Sequence, residues 1–176
     1  MGELVNLRHL DISGTNLIEM PPRICKLKSL QTLSAFILGK NGDSGINELR
    51  KLRQLKGSLS VLKLENAVRY GDDLEANLSD KLQLNELLLK WGGHTVVTDD
   101  SQKDREILDQ LQPHADLKKL TIEHYGGTAF PCWLGHVSYN LVSISLRKCK
   151  YCLSLPPFGN LPSMGLLHLL ASHLDH

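Results

Sequence analysis

The chain has 176 residues, 41% of them hydrophobic and 22% charged, which is the composition of a folded globular domain and unlike that of a disordered segment. Its 20 basic and 19 acidic residues leave a formal charge of +1, which excludes an overall positive field that would attract nucleic acid or an anionic membrane. The sequence has no apolar run near the length of a membrane span and no secretory signal pattern, so we expect neither a membrane span nor secretion.

The first element along the chain, residues 7–24, has apolar spacings that fit neither one helix nor one strand. It combines a short LDI strand, a turn and an apolar-proline pair. The strand recurs along the chain, and the first apolar residue of each copy marks one repeat. These markers are Leu10, Leu33, Leu59, Leu87, Leu120, Ile144 and Leu167. Because 23 to 33 residues separate successive markers, we predict a repeat protein.

Two further features recur at nearly constant distances from the markers. Most markers follow another apolar residue three positions back: Leu7, Leu30, Leu84, Leu117, Leu141 and Met164. Three return segments contain an apolar-proline pair: Met20-Pro21, Phe130-Pro131 and Leu155-Pro156. Each unit thus supplies one strand with two inward side chains and a return segment with inward residues of its own. Since no unit closes a core alone, we predict an α/β solenoid of about seven units, a horseshoe with a parallel sheet on its concave face.

The longer repeats contain helical patterns in place of the proline return, so the convex side is predicted to be irregular or helical. The predicted helices are 46–55, 73–82 and 104–111. The polar, glycine-containing stretch at about 92–103 is predicted to be an exposed loop, and about 165–176 is a divergent tail. We expect the whole chain, 1–176, to form a single domain.

Four blocks, in order from about residue 3 to Met164, carry a resemblance to a known family. They are LVNLRHLDISGTNLIEMPPRICKLKSLQTLSAFILGK, LKGSLSVLKLENA, LQPHADLKKLTIEHYGGTAFPCWLG and LRKCKYCLSLPPFGNLPSM. They resemble the leucine-rich-repeat region of plant nucleotide-binding disease-resistance proteins of the coiled-coil type. The resemblance implies the sensor region of an intracellular immune receptor, in the cytoplasm or nucleus. Such a region recognises pathogen effectors, directly or through a guarded host protein, and helps to hold the nucleotide-binding switch inactive.

Two departures from that family limit what the resemblance carries over. The chain begins inside the first visible repeat without a phosphate-binding motif, so no residue is assigned to ATP or ADP and no cofactor is expected. After Met164 the repeat pattern fades. A truncated gene, a splice variant and an excised fragment each account for this, and these alternatives stay open.

The candidate binding residues follow from strand geometry. Because successive side chains of a strand face opposite ways, the residues that flank the inward pair project from the concave face. They are His9, Asp11, Ser13, Ser58, Ser60, Leu62, Glu86, Leu88, Lys90, Lys119, Thr121, Glu123, Ser143, Ser145 and Arg147. Their mixed charges form no basic stripe. We interpret them as a protein-binding surface with a few dominant contacts; the alternative is a solvated face that keeps the sheet soluble.

The cysteines and tryptophans have structural interpretations as well as chemical ones. Four unevenly spaced cysteines do not form a disulfide framework, which favours a reducing compartment. Cys149 and Cys152 have metal-ligand spacing, with His124 or His136 as further ligands, but no second CxxC or HxxxH pair accompanies them. Cys132 as a nucleophile is less plausible than Cys132 in a packed return segment. Trp133 is predicted to lie in the core, and Trp91 fits either the core or an interface.

Three classes of function therefore compete. The first is a protein-recognition module, whose partners are a pathogen effector, a guarded host protein, or the nucleotide-binding domain of the same receptor or a relative. The second is an intramolecular scaffold or adaptor that binds no effector, or a non-functional truncated paralogue. The third is a metal-dependent enzyme, which the absence of a complete ligand set in the sequence disfavours. We expect no catalytic residue, no metal site and no nucleic-acid partner.

Overall fold

The computed structural model describes residues 6–40, 45–67, 76–93, 100–136 and 138–170. The strands in these ranges are β1 His9–Leu10, β2 Thr32–Leu33, β3 Ala35–Ile37, β4 Lys56–Leu62, β5 Gln83–Lys90, β6 Lys119–Glu123, β7 Ser143–Arg147 and β8 Leu166–Leu170. The α-helices are α1 Glu48–Lys51 and α2 Asp100–Gln110. β1 pairs with β2, and β3 to β8 form a six-stranded sheet in chain order with parallel neighbours throughout. The predicted parallel sheet is confirmed.

The repeat markers align across this sheet as the repeats require. Successive strands pair Leu59 with Leu87, Leu87 with Leu120, and Leu120 with Ile144, which in turn pairs with the marker of β8. A second stripe, two residues further on, consists of Val61, Leu89, Ile122, Leu146 and Leu169. From β4 to β7 every member of both stripes is at most 4% exposed. Each such aliphatic side chain contributes on the order of 1.5–3 kcal/mol on burial, so these two stripes form the centre of the core.

The register shifts at two places, at the start of the β4–β5 pairing, where Gly57 pairs with Leu84 but Ser58 pairs with Glu86, and between Leu33 and the next strand. Ala35 pairs with Ser60, so one extra residue, Ser34, lies between β2 and β3. The Ser34 hydroxyl accepts a hydrogen bond from the backbone N–H of Ile12 at 2.9 Å. The inward residue after Leu33 is consequently Phe36, which is fully buried, and the prediction that Ala35 fills that place is wrong. An inserted residue reverses the facing of everything that follows it in a strand.

The turns after β1, β4, β6 and β7 share a backbone conformation that the sequence does not reveal. Four residues after their markers, Gly14, Lys63, His124 and Lys148 all adopt positive φ, between 54° and 70°. This left-handed conformation helps to turn the chain after these four strands. Its occurrence at non-glycine residues with the same position in the repeat shows that the surrounding packing imposes it.

The helical returns agree with the prediction at one place, agree in part at a second and differ at the third. Of the helix predicted over 46–55, only Glu48–Lys51 is α-helical, although the apolar residues of the predicted face are at most 4% exposed: Ile46, Leu49, Leu52 and Leu55. At α2, Ile107 and Leu108 and the following Leu111 are at most 2% exposed. α2 begins at Asp100, inside the range predicted to be loop, and residues 94–99 lie outside the described residues.

The helix predicted over 73–82 is a short 3-10 turn, Leu78–Asp80, in its described part. Leu82 lies at helical spacing from Leu74 and Leu78, which predicts that it faces the core, but it is 63% exposed, and Lys81 is buried beside it at 1% exposure. The Lys81 ammonium donates to the carbonyl oxygens of Leu49 and Leu52, at 2.8 and 2.9 Å, and so caps the end of α1. The helical spacing of the leucines therefore gave the wrong inward residue here, because the Lys81 ammonium finds two carbonyl acceptors in the core.

An aromatic cluster holds α2 against the sheet. The Trp91 indole N–H donates to Asp104 Oδ1 at 2.9 Å, and the other oxygen of Asp104 accepts the backbone N–H of Gly126. The Trp91 ring meets Tyr125 edge-on at 5.3 Å, and Tyr125 stacks on Phe130 at the same centroid distance. Trp91 is 1% exposed and Trp133 is 7% exposed, so both are core residues.

Burial declines in the last described repeat. The apolar residues of the first two apolar-proline pairs, Met20 and Phe130, are buried, whereas Leu155 is 51% exposed, so the prediction of an inward residue is wrong there. The two core-facing leucines of β8, Leu167 and Leu169, are 37% and 49% exposed. None of the helices in the described ranges has the length and apolar character needed to cross a bilayer.

Candidate functional site

The outward side of the sheet from β4 to β8, opposite the core, is called here the polar face. Strand pairing arranges its residues in three rows that run across the strands. The first row is Ser58, Glu86, Lys119, Ser143 and Leu166. The middle row is Ser60, Leu88, Thr121, Ser145 and His168, and the third row is Leu62, Lys90, Glu123 and Arg147. The structure thus brings together the predicted residues of β4, β5, β6 and β7, while their role in binding stays a prediction.

The third row is built around Glu123. Its carboxylate lies 3.2 Å from the Lys90 ammonium on one neighbouring strand and 3.0 Å from the Arg147 guanidinium on the other. Partial burial opposes ionisation of Glu123, but the hydrogen bonds and charges of Lys90 and Arg147 outweigh it and lower the pKa of the carboxyl group. Glu123 therefore stays ionised at neutral pH and links three strands.

The first row contains a simpler pair. The Lys119 ammonium donates to Glu86 Oε1 at 2.7 Å, and this hydrogen bond is the main cause of the lowered pKa of Glu86. Both side chains are about half exposed, 59% for Lys119 and 46% for Glu86. Solvent screening makes such a pair worth little to stability, so its main effect is to neutralise two charges on this face.

The middle row carries no formal charge at neutral pH from Ser60 to Ser145. Ser145 is 8% exposed, and its hydroxyl accepts a hydrogen bond from Arg147 Nε at 3.0 Å. Ser60, Leu88 and Thr121 are half-buried. A strip of small and apolar side chains between two rows of paired charges presents a partner with a surface that costs little to desolvate.

Three predicted residues, His9, Asp11 and Ser13, lie apart from these rows. β1 pairs with β2 in a separate two-stranded ladder, and the His9 ring contacts the Thr32 hydroxyl at 2.9 Å. Asp11 accepts the backbone N–H of Ser13 at 2.9 Å. Hydrogen bonds from the Ser13 hydroxyl and backbone, and then from Ser34, lower the pKa of Asp11. These residues form a second polar patch beyond the slip at Ser34.

Two residues of the middle-row register were missed by the sequence analysis. Ala35 pairs with Ser60 and extends the row toward the N-terminus. The extra residue at Ser34 hid it, because alternation from Leu33 assigns Ala35 to the core. His168 extends the row at the other end by pairing with Ser145. Its position directly after the marker of β8 was the available signal. The other histidines of the tail, His173 and His176, lie outside the described residues.

The cysteines of the CxxC pair hydrogen-bond to the backbone. The Cys149 thiol faces the carbonyls of Arg147 and Ile122, and the Cys152 thiol donates to the Gly127 carbonyl at 3.2 Å. Burial raises the pKa of Cys149 to about 11 and that of Cys152 to about 12, so both are protonated at neutral pH. Within the described ranges, no three His, Cys, Asp or Glu side chains converge as metal ligands would.

Cys132 lies at an open cleft of about 420 Å³ between return segments, together with His114 and His136. The Nδ1 atoms of these rings contact their own neighbours: His114 Nδ1 accepts the backbone N–H of Asp116, and His136 Nδ1 contacts the Ser138 hydroxyl at 2.8 Å. Activation of a thiol nucleophile requires a base within hydrogen-bonding reach of the sulfur. Cys132 therefore shares the cleft with two imidazole rings whose Nδ1 atoms already contact groups other than its thiol.

The region that contains these repeats is similar to known proteins. Residues 46–171 match the family model described as R13L1/DRL21 LRRs. The putative disease resistance protein RGA4 of Solanum bulbocastanum is 41% identical over 162 residues, which cover 92% of this chain and 16% of that protein. RGA1 of the same species is 40% identical over 164 residues, covering 91% and 16%.

The putative disease resistance protein At3g14460 of Arabidopsis thaliana is 41% identical over 152 residues, covering 81% of this chain and 10% of that protein. The chain thus spans 10% to 16% of the length of these relatives. No solved structure matches the chain.

Proposed function

Because the chain belongs to the R13L1/DRL21 leucine-rich-repeat family, we propose that it is the protein-recognition module of an intracellular plant immune receptor. In this proposal it senses a pathogen effector or a guarded host protein, and it contributes to autoinhibition through the nucleotide-binding domain of the same receptor or a relative. Residues 1–176 act as one domain, a horseshoe of about seven units with the polar face on its concave side, in the cytoplasm or nucleus. It binds without catalysis and without a cofactor.

The observation that carries this proposal is the uncharged middle row between two rows of paired charges. A partner that lies across the strands contacts Ser60, Leu88 and Thr121 without having to strip water from an ion. The ion pairs on either side then fix the orientation of the partner. Its charges must be complementary to those of Lys90, Glu123 and Arg147, in the order in which these three residues lie across the strands. Specific protein interfaces commonly have this arrangement, in which a centre that is easily desolvated is surrounded by a polar, charged rim.

The relatives support the same class of function. Those matched at about 40% identity are named as disease resistance proteins. A repeat fold contributes an extended surface of the kind that such proteins use for contacts with other proteins. Which molecule is bound is a property of the side chains on that surface and not of the fold.

Substitutions on the polar face test the proposal. Thr121→Arg places a charge in the middle row, and Arg147→Glu opposes Glu123 with a like charge. Both are expected to abolish capture of the partner from pathogen-challenged leaf extract and to change cell death triggered by the receptor that carries this segment. Asp109→Lys, on the exposed side of α2, is the control, with a charge change of two units, the same size as that of Arg147→Glu and opposite in sign. Circular dichroism should be the same for all three variants.

If neither polar-face variant changes capture or cell death, recognition through this face is wrong.

An intramolecular scaffold is the second candidate, and one observation favours it. Each of the five charged residues in the rows already has an ion-pair partner on a neighbouring strand, which is what a face that merely remains soluble requires. In that case the nucleotide-binding domain supplied in trans should associate with the chain in the absence of any pathogen protein. Lack of association would remove this candidate.

A further inference from the structure

We propose that the carboxyl-terminal ends of β5, β6 and β7 bind an acidic segment of the protein partner, one that carries two separated carboxylates. This inference rests on the proposed function, because it assigns a chemical class to the partner that the polar face recognises. The surface is called here the basic end, and it consists of Lys90, Glu123, His124, Arg147 and Lys148. Strand pairing places Lys90, Glu123 and Arg147 side by side on three neighbouring strands.

The basic end has more positive than negative charge. Lys90, Arg147 and Lys148 supply three cations against the single carboxylate of Glu123, which leaves a surplus of two positive charges at neutral pH. Lys148 is exposed and has no ion-pair partner among the described residues. The surplus charge is therefore available to an anion from another molecule.

The carboxylate of the basic end lies deeper than the cations. The side chain of Glu123 is 14% exposed, against 43% for Lys90 and 45% for Arg147. A partner that approaches this surface therefore meets the ammonium and guanidinium groups before the carboxylate. In the first row, by contrast, Lys119 and Glu86 are both well exposed and their charges cancel. The rows of the polar face are thus neutral at one end of the strands and positive at the other.

The imidazole of His124 responds to the sign of the local potential. Partial burial is the main cause of its lowered pKa, and the positive charges of Lys148 and Lys90 lower it further. The negative charge of Glu123 acts in the opposite direction and has a smaller effect than either lysine. The cations therefore outweigh the carboxylate at this position, which is the condition for attracting an acidic ligand.

The positions of the cations favour two carboxylates over one phosphate group. Lys90 and Arg147 lie two strands apart, which is roughly 10 Å at the usual strand spacing. A single phosphate does not span that distance, and between the two cations it would lie close to the Glu123 carboxylate. Arg147 also donates from Nε to Ser145 and from Nη1 to Glu123. This leaves Nη2 for a single contact, whereas arginine commonly binds phosphate through two nitrogens.

A peptide segment in the polyproline-II conformation fits this spacing. It has three residues per turn and rises roughly 3.1 Å per residue, so side chains three residues apart face the same way and are about 9 Å apart. A segment that crosses the strands along the third row then places one carboxylate at Lys90 and the other at Arg147 and Lys148. The two residues between these carboxylates pass over Glu123 and must not be acidic.

NMR titration of the isotope-labelled full chain tests this inference with a defined probe, a synthetic peptide in which two prolines separate two glutamates. Chemical-shift changes are expected at the backbone amides of Lys90, His124, Arg147 and Lys148. Lys148→Glu should weaken binding roughly tenfold, whereas Lys148→Arg should preserve it. Lys28→Glu is the matched control, because it makes the same charge change at an exposed position between β1 and β2, and it should bind like the unmodified chain.

Two further peptides control for charge and spacing. One has glutamines in place of the glutamates, and the other has the two glutamates adjacent; both should bind several-fold more weakly. Absence of shifts at the basic end, or equal binding by Lys148→Glu or by the glutamine peptide, would overturn the inference. Equal binding of the adjacent-glutamate peptide would overturn the two-carboxylate spacing. Tighter binding of inorganic phosphate than of the peptide would assign the surface to a phosphate ligand instead.

The capture and cell-death assays separate a failure of this inference from a failure of the proposed function. If Thr121→Arg abolishes both readouts and Lys148→Glu changes neither, the polar face recognises a protein but the acidic segment is wrong. If the peptide binds the basic end and Thr121→Arg changes neither readout, the proposed function is wrong and the preference of this surface for acidic ligands stands.

Discussion

The repeats of β4 to β7 and the repeat of β8 share one sequence pattern but have different burial. The marker and its companion two residues later are at most 4% exposed in the first group and 37% and 49% exposed in β8. The residue types are the same aliphatic ones. What differs is the neighbour, since each earlier strand has another strand stacked beyond it. In a repeat protein the stability that a residue contributes is therefore decided by the adjacent unit.

The largest expected effect comes from truncating equivalent leucines in the two groups. Leu120→Ala should lower the free energy of unfolding by about 2–5 kcal/mol, because it opens a cavity in a fully packed stripe. Leu167→Ala should lower it by less than about 1 kcal/mol. Urea denaturation of the two variants and the parent measures both losses. Equal losses would break the comparison.

Lys81 provides the next test, because it is buried beside the exposed Leu82. Burial lowers the pKa of Lys81 to about 8 in the folded state from an ordinary value of 10.5, against the opposing charge of Asp80. Between these two values the unfolded chain binds more protons, so this group makes stability rise with pH, by at most about 1.4 kcal/mol per pH unit. Lys81→Met should remove that rise.

The measurement is the difference in unfolding free energy between the parent and Lys81→Met at pH 8 and at pH 10. The difference isolates Lys81, because burial raises the pKa values of Cys149 and Tyr125 and these groups make stability fall with pH in both proteins. Leu82→Met is the matched control at the exposed neighbour. A parent and a Lys81→Met variant with the same pH dependence would contradict the buried, carbonyl-bound ammonium.

The two buried tryptophans differ in whether the indole nitrogen has a hydrogen-bond partner. Trp91 donates its indole N–H to Asp104, whereas the indole nitrogen of Trp133 is buried without a hydrogen-bond partner among the described residues. Trp91→Phe should therefore cost about 1–3 kcal/mol more than Trp133→Phe, because it removes a donor from a buried carboxylate. Thermal or urea unfolding of the two variants gives the difference, and an equal cost would contradict the Asp104 contact.

The smallest expected effect is on the polar face. Glu86→Gln removes the charge of a half-exposed pair and should change the unfolding free energy by less than about 1 kcal/mol. The lowered pKa of Glu86 means that this small contribution is present above its unfolded pKa and is lost as the pH falls through its folded pKa. Denaturation at pH 7 and at pH 3 measures it. A large loss would show that this face is structural.

The marker leucines allowed much of the fold to be predicted from the sequence. A repeating aliphatic pair that cannot close a core by itself leaves stacking as the one stable outcome, and the residues between the pair must then face outward. For this reason Glu86, Thr121 and Ser145 were correctly placed on the side of the sheet opposite the core, although their function in binding is untested. The same reasoning failed at Ala35, because one inserted serine reverses the alternation and leaves no compositional signal.

Other features depended on contacts between residues far apart in the chain. Lys81 replaced Leu82 in the core because the carbonyls of α1 were within its reach, and the sequence near Lys81 does not contain that information. The three-strand contact of Glu123 with Lys90 and Arg147 likewise follows from the register of strands that are 24 to 33 residues apart. The charges were visible in the sequence, but their pairing required the register.

The central claim, that parallel strands stack with their repeats in register, is tested most directly by disulfide trapping. Thr121 and Ser145 are register partners on adjacent strands, and strands about 4.8 Å apart bring two such cysteines within disulfide range. With Cys132→Ser as the background, Thr121→Cys and Ser145→Cys should cross-link on mild oxidation, while Thr121→Cys and Arg147→Cys, two residues out of register, should not. Mass spectrometry of the linked peptides reads the result. A preference for the out-of-register pair, or no link in either, would contradict the account.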